Sequence, residues 1–190
     1  MDDVIDRLAG IEPGSALDRI RAGRPQARSE AQASYRALFE PGDAGAFVPE
    51  ERVAVAVFVA GLHQEPSMVH FYRELLGAEL RRVVEDAVIE ARGQGPYGHY
   101  PPGPLTSENV AGPHYVVSHG VRERLRPKLA AAFEHAHMLV YHPRDAAPET
   151  LQRLLQAGWT TTAVVTLSQL VAFLAYQIRA VAGLRVLRSS

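Results

Sequence analysis

Three residues stand on a spacing that suits acid–base chemistry: Glu51, His63 and His70, within ERVAVAVFVAGLHQEPSMVH. Histidine titrates near neutrality, and a carboxylate partner raises its basicity. Glu51 could therefore polarise His70 as a general base or acid, with His63 binding or protonating a substrate oxygen. His63 also precedes Pro66, where the free N–H groups of a new helix would stabilise negative charge. A structural reading stands beside this one. Glu51 also suits a helix N-terminus, and His70 an interior position with its ring nitrogens paired locally. Twelve helical residues rise about 18 Å, so Glu51 and His63 meet only if the chain bends or a later helix crosses back.

The other histidines are His99, His114, His119, His135, His137 and His142. His-x-x-x-His and His-Glu-x-x-His are absent, so no metal is expected from a compact motif. His135 and His137, two apart, are expected to point to different sides of a helix. Nucleotide binding and serine-hydrolase chemistry lack support: Gly93-Gln94-Gly95 has neither a further glycine nor a Lys-Ser/Thr pair, and Gly-x-Ser-x-Gly is missing. No cofactor is expected.

The 190 residues contain no cysteine, which excludes disulfides, thiolate metal sites and cysteine nucleophiles. A formal net charge of -1 gives no general attraction to nucleic acid. The N-terminus MDDVIDRLAG lacks a signal peptide's basic start and apolar run, so the expectation is a cytoplasmic protein. The apolar stretch Ala163 to Gly183 includes Arg179, which is costly in a span, so it is expected to be a buried core helix and no membrane partner is expected.

Apolar residues recur at helical spacing and strand alternation is nearly absent, so the expected fold is all-α in one domain over residues 1–190. The expected helices cover Asp3–Leu8, Ala16–Ala22, Ser29–Leu38, Glu51–Leu62, Pro66–Arg92, Val121–Leu139, a short one from Pro148 to before Gly158, and one entered at the threonines 160–162 and ending at Gly183. VAVAVFVA, residues 53–60, is β-branched enough for a buried strand, but Pro49 and Glu50 make a helix entrance. Residues 1–45 form a helical N-terminal extension, and residues 93–120 a long Pro/Gly loop. With its tyrosines and histidines, that loop is either a lid over a pocket or a surface excursion against a partner subunit.

The Glu51 window resembles the AhpD-like and carboxymuconolactone decarboxylase superfamily. Its peroxidase members carry a Glu, eleven residues, Cys-x-x-Cys, three residues and a His. Glu51 and His70 match the outer positions, while His63 and Pro66 replace the cysteines. The segment HPRDAAPETLQRLLQAGWTTTAVVTLSQLVAFLAYQIRAVAGL is similar to the closing half of the peroxidase-related branch. The resemblance implies an AhpD-like helical fold, a homo-oligomer and Glu51, His63 and His70 as catalytic residues acting on a small organic substrate. Without sulfur the dithiol peroxidase cycle cannot run, so the implied activity is acid–base chemistry like that of the decarboxylase branch. The alternative is a non-catalytic binding or structural partner of a cysteine-containing homologue.

Overall fold

The computed structural model describes residues 3–189. It is all-α, with helices α1 (Val4–Ala9), α2 (Ala16–Ala22), α3 (Pro25–Phe39), α4 (Pro49–Leu62), α5 (Pro66–Arg73), α6 (Ala78–Ala91), α7 (His119–Tyr141), α8 (Pro148–Gln156) and α9 (Thr161–Ser189). They form one domain around α4, which packs against α3, α5, α6, α7 and α9. The ambiguous VAVAVFVA run is therefore helical. Ala54 to Ala60 are fully buried, because a helix surrounded by other helices has no polar face to present. Gly61 is where α6 comes closest: a Cβ there would lie 2.5 Å from a methyl of Val88.

Several expected boundaries differ from those observed; α3, for one, begins at Pro25 rather than Ser29. The helix expected over Pro66–Arg92 is two, interrupted before Gly77, which is extended and opens α6; glycine is the poorest helix former after proline. Within α7, Arg126 leaves helical geometry (φ 65°, ψ 157°) just before Pro127, whose ring excludes the preceding turn's geometry. Helix α9 continues past Gly183. Its final turns are anchored by Arg185, which donates to the Leu8 carbonyl at 2.7 Å, and Arg188, which donates to the Ala9 carbonyl at 3.1 Å. These cations satisfy carbonyls left orphaned at the C-terminus of α1.

That docking also makes the apolar faces of α1 and α3 part of the core. Val4, Ile5, Leu8, Ala31, Tyr35 and Leu38 are all buried in the main cluster. Asp3, Asp6 and Asp18 pair with Arg21 and Arg28, tying α1 to α2 and α3.

Helix α9 is only partly the core helix that was expected. Leu167, Leu170, Leu174 and Val181 are fully buried, and buried Gln177 accepts a 2.6 Å hydrogen bond from the Tyr72 hydroxyl. Its opposite face exposes Val165, Tyr176, Val186 and Leu187. By length and composition alone, α9 could cross a membrane, with 33% of its most apolar window buried in the protein.

Candidate functional site

The three residues singled out by spacing do not converge. Glu51 lies one turn into α4, where it accepts from the Val48 N–H (3.3 Å) and from Lys128 Nζ (2.8 and 2.9 Å). Lys128, the only lysine, also lies 4.9 Å from the Trp159 ring centroid, and the Trp159 indole N–H donates to the Lys128 carbonyl. Glu51 thus belongs to a clasp joining α4 to α7 and the start of α9.

His63 caps the other end of the same straight helix. With Glu51 twelve residues earlier, about 18 Å of helix separates them. Half-buried His63 lines a cleft of about 440 Å³ with Arg179, Ser168, Tyr141 and Pro143, and its Nε2 is buried without a hydrogen-bond partner. Burial, and then the nearby Arg179 charge, lower its pKa. His70 is exposed on α5 and lines neither this cleft nor the larger one described next.

Three other histidines, His114, His135 and His137, converge elsewhere. A cleft of about 580 Å³ lies between α7, α8 and the loop, lined by His114, Tyr115, His135, His137, Asp145 and Arg153 among others. On α7, Ala131, Glu134, His135 and Met138 form the i, i+3, i+4, i+7 stripe that faces it. His137 lies beyond the edge of that stripe, yet it reaches the cleft because the loop folds over it, placing the Tyr115 ring at 5.2 Å. His135 and His137 do point to different sides of α7, as expected, but the loop extends the cleft around the helix so that both line it.

The loop is sewn down along its length. Gly98 and Val110 exchange backbone hydrogen bonds at 2.8 and 3.2 Å, the Tyr97 N–H donates to the Tyr141 carbonyl, and the His99 N–H donates to Asp145 Oδ1 at 3.0 Å. The Tyr97 ring covers Gly112, where a Cβ would fall 2.2 Å from the ring. The loop supplies a wall of the cleft through His114, Tyr115 and Val116.

The electrostatics of the cleft are those of buried neutral imidazoles. Burial lowers the His135 pKa to about 4, and neither ring nitrogen has a hydrogen-bond partner. The His137 pKa is also lowered to about 4, by burial first and then by His142 and His114, against a hydrogen bond to the Ala91 carbonyl that works the other way.

His142, 1% exposed, is held by both nitrogens: Nε2 lies 2.9 Å from the Pro113 carbonyl and Nδ1 lies 3.0 Å from Asp145 Oδ2. Burial raises the Asp145 pKa, but the close contact with His142 and the hydrogen bond from the His99 N–H outweigh it, so the net shift is downward. The His114 ring stacks on His142 with centroids 4.4 Å apart. His114, His142 and Asp145 offer ligand atoms that all lie within 4.8 Å of one another, the one such potential metal-holding group among the described residues.

Part of this group had a local signal. His142-Pro143-Arg144-Asp145 closes a 3₁₀ turn, in which side chains three apart eclipse. His114, 28 residues upstream, had none, since it arrives through the loop.

Compared with known proteins, the chain matches no family model, no curated protein and no solved structure. These comparisons add no support for the AhpD-like superfamily or for any other.

Proposed function

We propose that this protein binds a small oxygen-bearing organic molecule in the cleft between α7, α8 and the loop and polarises it by acid–base chemistry. The carrying observation is His135: 5% exposed, on the cleft's facing stripe, with both ring nitrogens unpartnered. An unpaired buried polar group costs roughly 1–3 kcal/mol, a cost that a ligand supplying the hydrogen bond removes. Neutral at pH 7, the imidazole can donate to a carbonyl or developing oxyanion. Exposed Arg153 on the lining can attract an anionic substituent such as a carboxylate.

The acid–base activity expected of Glu51, His63 and His70 is thereby kept in kind and moved in place. Membership of the AhpD-like superfamily stays a proposal carried by residue spacing and the C-terminal pattern; the lack of cysteine excludes the dithiol reaction for this chain alone.

The test is ligand-observed NMR with a panel of small carboxylic acids and their esters, on the protein and on His135→Leu. At least one compound should bind the protein and lose at least tenfold in affinity with the variant. His135→Leu should itself be about 1–2 kcal/mol more stable, because an apolar side chain replaces an unsatisfied polar one. A panel that binds both proteins equally, or neither, overturns the proposal.

A homo-oligomer is a second reading, favoured by the apolar side chains Val165, Tyr176, Val186 and Leu187 left exposed along α9. Sedimentation velocity tests it: a species at the 20.8 kDa chain mass across micromolar concentrations rejects association.

A further inference from the structure

We propose that His142, Asp145 and His114 form a binding site for a first-row divalent cation, such as Zn(II) or Fe(II), at the wall of the cleft. The proposal deepens the cleft reading above and rests on it for location, although binding of the cation requires no organic ligand.

The tautomer of His142 comes first. The Pro113 carbonyl can only accept, so the 2.9 Å contact fixes the proton on Nε2. In the neutral ring, the Nδ1 lone pair then faces Asp145 Oδ2 at 3.0 Å. Two acceptors held that close need a cation between or beside them. A proton meets that need, and so does a metal.

The surroundings favour the metal on three counts. A ligating histidine characteristically donates its outer N–H to a backbone carbonyl or carboxylate, which fixes ring orientation and raises the basicity of the inner nitrogen; Pro113 supplies that contact. A ligating carboxylate is likewise oriented by a hydrogen bond to its other oxygen, here from the His99 N–H to Asp145 Oδ1 at 3.0 Å. The third donor is accessible: His114 is exposed, so its ring can turn from stacking on His142 toward the shared point.

The dimensions agree. Donors about 2.0–2.1 Å from a tetrahedral ion stand about 3.3 Å apart, a little beyond the present separation of Nδ1 and Oδ2. All three donors already lie within 4.8 Å. Two imidazoles and one carboxylate form a borderline donor set suited to iron or zinc rather than to calcium, and they leave further positions for water or a cleft ligand.

The experiment uses full-length, tag-free protein stripped with a chelator and titrated with Co(II), followed by visible absorption and calorimetry. One equivalent should bind with the weak bands of nitrogen and oxygen coordination. His114→Ala and Asp145→Asn should each weaken binding at least tenfold, while His135→Leu leaves it unchanged. His114 is exposed, so its variant should keep the helical far-UV circular dichroism and decides the matter even if Asp145→Asn loosens the loop.

Absence of saturable binding, or equal affinity in His114→Ala, overturns the metal site and leaves the His142–Asp145 pair a proton-bridged clasp. Loss of the cobalt result alongside His135-dependent binding of an organic acid rejects the metal and keeps the cleft reading. Saturable cobalt binding, together with an organic-acid panel that shows no His135-dependent binding, upholds the metal and rejects the cleft reading.

Discussion

Helix α4 and the histidine cleft treat chemically capable residues in opposite ways. Along α4, acid and base belong to one element, and the rigidity of that element keeps them apart: Glu51 and His63 occupy its two ends. In the cleft, donors come from a loop, a helix and a 3₁₀ turn, and the connections between those elements bring them together. At one end of α4 Lys128 satisfies Glu51, while at the other His63 keeps an unpartnered Nε2 in a separate cleft. The cleft retains unsatisfied capacity in His135. A short spacing in sequence is thus a weak guide to proximity on a straight helix, whereas residues 28 apart can meet through a folded loop.

Acid titration should separate the two regions most. Burial lowers the pKa values of His135 and His137 to about 4 in the folded protein, against 6.5 for an ordinary imidazole. Between these values the unfolded chain binds more protons, so stability rises with pH there. The contribution is complete above about pH 6.5 and is lost as pH falls toward 4, by about 3 kcal/mol for each imidazole. Urea denaturation at pH 7 and pH 4.5 measures it, and the loss should shrink by about half in His135→Leu. A pH-independent midpoint over this range would contradict the burial of both rings.

A smaller effect belongs to the α4 clasp. Glu51→Gln removes the charge paired with Lys128 and should cost about 1 kcal/mol in the same assay, as expected for a half-buried ion pair, without altering ligand or cobalt binding in the cleft. Altered cleft binding would restore a functional role to Glu51. The smallest change is expected for exposed His70: His70→Ala should stay within about 0.5 kcal/mol and leave cleft binding unaltered.

Much of the helical framework was legible in the sequence. Pro148 and Gly158 bracket α8, with Gly158 at φ 97°, and Thr160 Oγ1 accepts from the Ala163 N–H at the start of α9. These features are local, set by donors that proline lacks and by carbonyls and N–H groups left free at helix ends. The failures involve competition between local preference and packing. Gly77 broke a stripe that looked continuous, whereas Gly183 did not end α9, because Arg185 and Arg188 hold its final turns on α1.

Of the candidate site, the sequence displayed the ingredients and hid the arrangement. His135 and His137 were visible, but periodicity placed them on different faces; Tyr115 and the loop made those faces parts of one cleft. The His142–Asp145 pair lay within reach of local reasoning through its 3₁₀ turn, while His114 had no positional signal.

By itself, the sequence determined the all-α class, through apolar residues at three- and four-residue spacing, and the exclusion of sulfur chemistry, through the absence of cysteine. Only the tertiary structure decided which histidines meet. Backbone hydrogen bonds and apolar periodicity act over a few residues, whereas the site depends on where a long loop is fastened, by contacts such as those from His99 to Asp145 and from His142 to Pro113.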